Sequence, residues 1–479
     1  MAKLLGIDIG TSGCKVLLID EKGTVLKQAS AEYPISVPKP GWTEQNPDDW
    51  WAGVESCLAE IDEKSPDAIG VTGQMHGSVF LDAQGKVIRP ALLWNDQRTV
   101  AECEQIETTI GGERLKELTC NPALTGFQLP KLLWLRNNEP QNFQQVRQLL
   151  LPKDYIRFKL TGDYGAEVSD ASGTGIFDVK NRKWSQPVAD ALGISLELFP
   201  KVYESDEVTG HTTLHDHLNA GIPVVGGGGD QAAAAVGTGA VEPGIISVSL
   251  GTSGVVFTSL PGNEHDPSGA AHTFCHANRG WHAMGVMLSC GGALRWYRDT
   301  LGGGRSYDEI SASAATAVPG SGMTFLPYLT GERCPNIDPA ARASFAGFGL
   351  ETTRSDFDRA VFEGLSFGLL GAFNLLRGLG ASAAEIRVTS GGSKSDFWVQ
   401  MLADCFGAPC VRLEVDEGPA MGAAILAGVG IGVWPNVQSA CKEVVKVADK
   451  ILPTGMDYSV AFGRYSDLYP AVKHWNHTA

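Results

Sequence analysis

Apolar and polar positions follow a strand pattern at the start of the chain. An apolar run at residues 4–9 ends at a Gly-Thr-Ser-Gly turn at residues 10–13, and further runs begin at residues 15 and 24. Short runs of this kind, separated by turn residues, predict a meander of antiparallel strands.

The pattern then changes to a helical period. Asn46 is a favourable N-cap, and Pro47 suits the first helical position. The apolar positions that follow recur at helical spacing, and they are Trp50, Val54, Cys57, Leu58 and Ile61. Residues 68–72 return to a strand pattern. The first part of the chain therefore predicts a meander, a helix and a further strand.

The second half of the chain repeats this order. A strand is predicted at 245–250, a second Gly-Thr-Ser-Gly turn follows at 251–254, and the return strand covers 255–258. A helix at about 356–376 and a strand at 386–390 complete the repeat. We predict an α/β protein of two duplicated domains, residues 1–242 and 243–479, which face each other across a cleft. Clefts between domains are favoured ligand sites.

Charge and composition exclude several classes of partner. Asp plus Glu number 54 and Lys plus Arg number 38, which gives a net charge of −16. Nucleic acids and anionic membranes require basic surfaces, so we expect neither as a partner. The chain has no long uninterrupted apolar run and its N-terminus lacks a signal-peptide pattern, which favours a cytoplasmic location. The 10 cysteines form no C-x-x-C pair that would indicate zinc.

The two Gly-Thr-Ser-Gly turns are candidate phosphate sites. Consecutive backbone N–H groups and hydroxyls converge in such a turn and can bind an anion. A plain hairpin connection is the alternative for either turn alone, but turns on opposite halves would supply donors from both sides of a triphosphate. The predicted nucleotide-binding residues here are Gly10, Thr11, Ser12, Gly251, Thr252 and Ser253.

Asp8 lies at the end of the first predicted strand, beside the first turn. A carboxylate next to a phosphate requires a cation between them, and Mg²⁺ is the natural choice because it is held by few carboxylates and several waters. The alternative is an aspartate that caps the turn locally.

Asp230 follows four glycines and precedes a predicted helix. It is either the N-cap of that helix or a general base that accepts a proton from a substrate hydroxyl in phosphoryl transfer. Residues 227–232 also fit the G-x-G-x-x-A pattern of dinucleotide sites. An acidic residue inside the turn, and the lack of one after the next strand, argue against a nicotinamide dehydrogenase.

Other polar or glycine-rich segments follow predicted strands. Gly391 and Gly392 would let a nucleotide approach the backbone. Met75, His76 and Asp96 could contact a polyol, with Trp94 as an apolar wall. The alternatives are a tight connection, a structural histidine and an Asx turn.

The order and spacing of these motifs resemble the FGGY family of carbohydrate kinases. The resemblance extends from about residue 5 to 427 and rests on these stretches: GIDIGTSGCKV, GWTEQNPDDWW, GVTGQMHGSVFLD, RPALLWNDQRT, PKLLWL, LLPKDYIRFKLTG, SDASGT, GGGGDQAAAAVGTG, SLGTSGVVF, FLPYLTGERCP, SGGSKSDFWVQMLAD and GPAMGAAILA.

The resemblance implies a fold like that of actin and hexokinase (ribonuclease H-like), with domains that close on sugar and ATP. It implies that Asp230 is the catalytic base and that Asp8 lies near the transferred phosphoryl group and Mg²⁺, which it binds through water. It also implies that Met75, His76 and Gln231 lie at the sugar and that Gly391 and Gly392 lie on the adenosine side. Gln231 is a departure, because related pentulose kinases often have Asn there.

The function implied is ATP-dependent phosphorylation of a pentulose, with D-xylulose as the first candidate because the Gln-Met-His-Gly stretch differs from that of glycerol kinases. Ribulose, L-xylulose or another polyol is the alternative substrate. A non-catalytic sugar or nucleotide sensor, or an actin-like assembly protein, is the alternative class. The expected partners are small molecules, and a homodimer is also considered.

Overall fold

A large β-sheet forms the centre of each half of the protein. The computed structural model describes residues 2–415 and 417–478. Strands of the first half are β1 (Lys3–Ile9), β2 (Gly13–Asp20), β3 (Val25–Glu32), β4 (Glu44–Gln45), β5 (Ala68–Gly73), β6 (Val79–Leu81), β7 (Ala91–Leu92), β8 (Gln148–Leu150), β9 (Ala166–Glu167), β10 (Phe177–Asp178), β11 (Lys183–Trp184), β12 (Val202–Tyr203), β13 (Val208–His211), β14 (Pro223–Val225) and β15 (Gly228–Gly229).

Helices of the first half pack against its sheet and also form a cluster beside it. They are α1 (Pro47–Ile61), α2 (Val100–Ile110), α3 (Gly112–Thr119), α4 (Gln128–Asn138), α5 (Pro140–Gln145), α6 (Pro152–Thr161), α7 (Val168–Ala171), α8 (Gln186–Leu192) and α9 (Asp230–Thr238). Short 3₁₀ turns occur at Ser172–Thr174 and Leu196–Leu198.

The second half has the same kinds of element. Its strands are β16 (Gly244–Leu250), β17 (Gly254–Leu260), β18 (Ala271–Cys275), β19 (Trp281–Met287), β20 (Thr324–Leu326), β21 (Ser344–Ala346), β22 (Ala383–Thr389), β23 (Cys410–Leu413) and β24 (Val447–Ile451). Its helices are α10 (Gly291–Thr300), α11 (Tyr307–Thr316), α12 (Arg354–Arg377), α13 (Asp396–Phe406), α14 (Gly418–Gly430), α15 (Val437–Val444) and α16 (Ser459–Asn476), with a 3₁₀ turn at Gly391–Lys394.

The two sheets share one topology. The first has the order β13-β14-β5-β1-β2-β3, with β15 also paired to β5, and the second has the order β18-β19-β17-β16-β22-β23-β24. In each, the first strand pairs antiparallel with the second and parallel with a later strand, β5 or β22. This shared arrangement confirms the predicted α/β fold built from a duplicated unit.

Local signals in the sequence explain where several elements begin and end. Helix α1 starts as predicted, because Asn46 accepts a hydrogen bond from the backbone N–H of Asp48 at 3.2 Å. Ser395 caps α13 and Gly407 ends it in the left-handed conformation. Tertiary packing makes two other elements begin before their predicted bounds. Helix α12 begins at Arg354 rather than at about residue 356, and β22 covers Ala383–Thr389 rather than residues 386–390.

Helix α12 forms the centre of the second half. By length and composition alone it could cross a membrane, but 78% of its most apolar 18-residue window is buried inside the protein. It contacts β17, β19 and β20 and neighbouring helices, so its apolar surface belongs to the core of the second half.

Helices α9 and α14 join the two halves. Their backbones touch, because a Cβ atom at Gly422 would lie 1.8 Å from the carbonyl oxygen of Ala233. Helix α14 also packs on the first sheet, where a Cβ at Gly6 would lie 2.0 Å from the carbonyl oxygen of Ala420. A helix that follows the second sheet in sequence therefore covers the first sheet in space. The division at residues 242 and 243 remains a prediction from the chain order.

Candidate active site

A cavity of about 350 Å³ lies between the two halves. The first sheet contributes Asp8 and Lys15, α9 contributes Gln231, and the second half contributes Ser249 and Glu417. The carboxyl ends of the parallel strands β1, β5, β16 and β22 point toward this region. The duplicated sheets thus bring the corresponding strand ends together at one cleft, as open α/β sheets do at ligand sites.

Asp8 has an unusual carboxyl group. Its Oδ1 is buried and has no hydrogen-bond partner among the described residues. Burial and the charge of Asp230 raise the pKa of Asp8 to about 7, although Lys15 opposes this rise. Lys15 lies opposite Asp8 in the β1–β2 hairpin and forms an ion pair of 2.5 Å with Glu417. The site therefore holds a carboxylate oxygen that no protein group neutralises.

This carboxyl fits a hard divalent cation. Among residues 2–415 and 417–478, no group of three or more His, Cys, Asp or Glu side chains is arranged to hold a metal ion. One carboxylate is nevertheless sufficient for Mg²⁺ when substrate phosphates and water supply the other ligands. The unsatisfied Oδ1 of Asp8 is consistent with that type of site and inconsistent with a closed structural metal site.

Asp230 is the first residue of α9, directly after Gly229. The N-cap of this helix is Gly229 and not Asp230, so the carboxyl of Asp230 does not serve as the cap. Burial raises the pKa of Asp230 to about 6, and hydrogen bonds from Gln231 limit the rise. Burial thus raises the pKa of both carboxyls, and the charge of Asp230 adds to the rise at Asp8. Such a buried carboxylate can act as a general base near neutral pH.

Hydrogen bonds to its carbonyl oxygens hold the first glycine turn in place. Gly10 O accepts hydrogen bonds from the Tyr33 hydroxyl at 2.6 Å and from Gln74 Nε2 at 3.4 Å. Thr11 O accepts from Gln45 Nε2 at 2.7 Å. The backbone N–H groups of Thr11 and Ser12 donate to no acceptor among the described residues. The turn therefore presents free donors, the arrangement that binds an anion.

The second glycine turn is held in the same way from the start of α10. Gly251 O accepts a hydrogen bond from Gly291 N at 2.7 Å, and Thr252 O accepts from Cys290 N at 2.9 Å. Ser253 lies between Thr252 and the start of β17. Both predicted turns thus have carbonyl groups tied to the protein and donors left for a ligand.

A second cavity, of about 510 Å³, lies against this turn within the second half. It is bounded by Gly251 and Thr252 and by Gly391 and Gly392, and Trp398 is fully buried beneath Gly392. A Cβ at Gly391 would meet no atom within 4 Å, so this edge of the cavity is open backbone. The cavity also contains the cations Arg295 and Lys394. Open glycine backbone with adjacent cations suits a nucleotide.

Met75 and His76 lie together just after β5. A Cβ at Gly229 would lie 2.9 Å from Cγ of Met75, so Met75 packs against the residue before Asp230. His76 contacts Phe127, with ring centroids 4.9 Å apart. The structure therefore places Met75, one of the two predicted sugar residues, beside the glycine run that carries Asp230.

The protonation of His76 follows from its contacts. Its Nδ1 lies 2.7 Å from Gly173 O, and a carbonyl oxygen only accepts, so Nδ1 carries the proton and Nε2 is an acceptor. Burial and the charge of Lys131 lower the pKa of His76 to about 3. The ring is therefore neutral, which suits hydrogen bonding to an uncharged hydroxyl.

Trp94 and Asp96 differ in whether their side chains are free to contact a ligand. Trp94 is 42% exposed and donates from Nε1 to the Thr11 hydroxyl at 3.0 Å. Asp96 is fully buried, and its carboxylate accepts hydrogen bonds from Thr43 N and from Arg98, both at 2.7 Å. The structure does not bring Asp96 to the cavity, because these protein donors occupy its oxygens. Asp96 instead holds the loop that presents Trp94.

Sequence reasoning missed several polar residues of the central cavity. Lys15 and Glu417 form the ion pair across it, and the Ser390 hydroxyl lies 3.0 Å from that of Ser249. The pairing register of the first hairpin places Lys15 opposite Asp8, so counting residues around the turn could have found Lys15. Ser390 and Glu417 had no such signal, because they reach the site through long-range packing.

Comparison with known families matches both halves of the chain. Residues 3–237 match the FGGY family of carbohydrate kinases, N-terminal domain, and residues 246–431 match its C-terminal domain. The chain is 36% identical to a protein named xylulose kinase from Bacillus subtilis, covering 99% of this chain and 98% of that protein. It is 39% identical to a xylulose kinase from Escherichia coli, with 89% of each covered.

Comparison with solved structures gives the same grouping. The crystal structure of a protein described as a xyloylose kinase from Brucella ovis superposes with a TM-score of 0.93 at 36% identity. The superposition covers 99% of this chain and 100% of that one. The similarity therefore includes both sheets, the cleft and the segments beyond the matched family domains.

Proposed function

The chain belongs to the FGGY family of carbohydrate kinases, and we propose that it transfers the γ-phosphoryl group of ATP to D-xylulose, giving D-xylulose 5-phosphate. The similarity to proteins named xylulose kinase over nearly the full chain carries this proposal. The presence of Asp8 and Asp230 at the cleft supports a catalytic protein over a sensor.

Asp230 accepts the proton of the attacking hydroxyl. A sugar hydroxyl is a weak nucleophile, and a carboxylate within hydrogen-bond distance removes its proton as the bond to phosphorus forms. A pKa of about 6 keeps Asp230 ionised at neutral pH while leaving it basic enough to accept a proton. Gln231, at the rim of the same cavity, contacts the sugar beside the base.

Asp8 faces the transferred group from the other side of the cleft. Its free Oδ1 would hold Mg²⁺ through water, and the bound cation would neutralise charge on the phosphates. Lys15 keeps a positive charge beside Asp8 and, through Glu417, ties the first sheet to the second half. The free N–H groups of Thr11, Ser12, Thr252 and Ser253 bind phosphate oxygens from both sides.

The sugar lies near Met75 and His76, and the nucleotide lies against Gly391 and Gly392. The Nε2 of His76 accepts a hydrogen bond from a sugar hydroxyl, and Trp94 supplies an apolar wall at the mouth. Closure of the two halves then excludes water, which limits the hydrolysis of ATP without sugar. We assign the protein to the cytoplasm, with ATP and a sugar as its partners.

The test is ADP release from Mg-ATP with a panel of D-xylulose, L-xylulose, D-ribulose, L-ribulose, glycerol and no sugar. We expect strong release with D-xylulose, and a loss of about 10³-fold or more in kcat for Asp230→Asn with retained ATP binding. Release with another sugar alone would keep the kinase and reassign its substrate. No sugar-dependent release would leave the sensor as the better hypothesis.

A homodimer remains a prediction. Sedimentation of the purified protein with and without Mg-ATP measures it, and growth into filaments on addition of ATP would instead support the actin-like alternative.

A further inference from the structure

A buried turn made of α7 and the following 3₁₀ turn contacts the catalytic glycine run, and no role has been assigned to it above. Gly173 in this turn accepts the hydrogen bond from His76, and the Ser172 hydroxyl accepts one from Cys275 N of the second half at 3.0 Å. The hydroxyl of Ser169 contacts the residue before Asp230. We propose that Ser169 is a positioning residue that fixes the Asp230 carboxylate through the backbone of Gly229.

Ser169 makes a direct hydrogen bond to the catalytic segment. Its side chain is fully buried, and its Oγ accepts from Gly229 N at 3.1 Å. Gly229 is the N-cap of α9, so its orientation sets the direction of the helix start and of the Asp230 side chain. The first N–H groups of a helix lack intrahelical partners. Ser169 supplies an acceptor at this point, in addition to the pairing of β15 with β5.

Glu167 orients the Ser169 hydroxyl. Glu167 is fully buried, and its Oε2 accepts from Ser169 Oγ at 2.9 Å. Since the hydroxyl proton points to Glu167, a lone pair of Oγ points to Gly229. The other oxygen of Glu167, Oε1, accepts from the Ser205 hydroxyl at 2.5 Å and from Ser169 N at 2.6 Å. The hydroxyl of Ser169 thus cannot rotate without losing two bonds.

The same network holds the other end of the glycine run. Lys153 is buried, donates to Gly226 O at 3.3 Å and lies 3.8 Å from Glu167. Gly227 has a positive φ of 73°, and a Cβ there would lie 1.8 Å from Val71 O. Gly227 is therefore a glycine because the backbone passes too close to β5 for a side chain, and glycine alone does not fix its conformation. The buried network adds a restraint to the backbone hydrogen bonds of the run, in which Gly226 N donates to Glu207 O and Gly227 N donates to Ser205 O.

Loss of this restraint should affect the chemical step more than binding. Displacement of a catalytic group by about 1 Å can reduce the rate by about 10²-fold, because the reacting atoms leave their attack geometry. Ser169 contacts neither of the two cavities, and the segments lining them do not include it. We therefore expect a lower kcat with little change in the KM values for ATP and for the sugar.

Ser205→Ala is the matched control for Ser169→Ala. Ser205 is equally buried and donates to the same Glu167, but its hydroxyl does not contact Gly229. Both variants remove a single hydroxyl from the Glu167 network. A merely structural role for that network would make the variants alike in melting temperature and in kcat. A positioning role predicts similar melting temperatures but a low kcat only in Ser169→Ala.

The experiment measures kcat, both KM values and the melting temperature of the full chain for the wild type, Ser169→Ala, Ser169→Cys and Ser205→Ala. Ser169→Cys fills a similar space with a thiol, which is a poor hydrogen-bond acceptor. It tests the same hydrogen bond if Ser169→Ala does not fold. We expect kcat to fall by about 10- to 100-fold in the Ser169 variants, with KM values within about 3-fold of wild type. A normal kcat in either folded Ser169 variant, or an equal loss in Ser205→Ala, would overturn the proposal.

This inference rests on the proposed role of Asp230 as the base. Measuring Asp230→Asn in parallel separates a failure of that role from a failure of the positioning role of Ser169. An inactive Asp230→Asn with fully active Ser169 variants overturns only the role of Ser169. An active Asp230→Asn overturns the assigned base, and the positioning role with it.

Discussion

At the scale of single residues, the central feature is a pair of interacting carboxyls. Burial raises the pKa of both Asp8 and Asp230, and the charge of Asp230 is a further cause of the raised pKa of Asp8. A cation beside Asp8 would stabilise its charge. The proposed base, Asp230, would still be ionised at neutral pH.

The pH dependence of turnover should report the ionisation of Asp230. Asp230 acts only when deprotonated, so kcat/KM should fall about tenfold per pH unit below its pKa of about 6 and level off above it. The measurement is a pH profile with D-xylulose at saturating Mg-ATP.

Magnesium provides the control for that profile. A cation at Asp8 favours the charged carboxylate, so a higher Mg²⁺ concentration should lower the pKa of Asp8. The fall in kcat/KM that is due to protonation of Asp230 should stay at the same pH. A profile that stays flat down to pH about 4 would contradict the assignment of Asp230 as the base.

Residue types and strand positions were enough to predict Asp8 and Asp230. Asp96 shows the limit of this reasoning: it has the right chemistry at a strand end, but Arg98 and Thr43 occupy its carboxylate. Hydrogen-bond partners of that kind depend on side-chain packing, which a linear pattern does not contain.

At the scale of elements, the turn at residues 168–174 contacts both His76 and the residue before Asp230. Substitution Gly173→Ala would put a Cβ atom 2.2 Å from Cε1 of His76 and displace the imidazole. We expect the KM for the sugar to rise by about 10-fold or more while the KM for ATP changes little, since the proposed contact of His76 is with the sugar only.

The matched control for Gly173→Ala is Gly112→Ala, because a Cβ atom at Gly112 meets no atom within 4 Å. An equal rise in both KM values for Gly173→Ala would indicate a general disturbance of the cleft, and it would count against the assigned sugar contact.

The pairing of α9 and α14 should be sensitive to a single methyl group. In Gly422→Ala the new Cβ atom would lie 1.8 Å from Ala233 O, so the helices must separate. Overpacking of this kind costs about 1–3 kcal/mol, and we expect a corresponding fall in the denaturation midpoint.

Gly463→Ala is the control for Gly422→Ala. Gly463 lies inside α16, and a Cβ atom there meets nothing within 4 Å. This substitution should stabilise the protein by about 0.5–1 kcal/mol, as expected for alanine in place of glycine in a helix. An unchanged denaturation midpoint for Gly422→Ala would contradict the close packing of α9 and α14.

Strands, turns and capped helices were predictable because their signals are local, as at Asn46 and Ser395. The contact of α14 with the first sheet was not predictable from such local signals. Composition shows that two helices can approach closely, but the partner depends on the path of the whole chain.

At the scale of the whole molecule, the duplicated sheets should close when both substrates bind. The radius of gyration from small-angle X-ray scattering should decrease when D-xylulose and a non-hydrolysable ATP analogue are added together, and less with either alone. Asp230→Asn should close as the wild type does, because the base is needed for proton transfer and not for binding. No change in either protein would contradict closure.

The duplication itself was visible in the sequence, since both halves carry the strand, Gly-Thr-Ser-Gly turn and return strand in one order. That repeat was sufficient to predict two facing α/β units. Their relative orientation could not be predicted, because it depends on the backbone contact between α9 and α14.

The contact between α9 and α14 also bears on the order in which the substrates arrive. Because these helices already touch at their backbones, we expect a hinge motion of the two halves to turn about their contact. Asp230, at the start of α9, would then move little, whereas the loop around Thr252 would move further. We therefore expect the sugar site to be formed before closure and the triphosphate site to be completed by closure. Sugar first and nucleotide second is the sequence of events that this geometry favours.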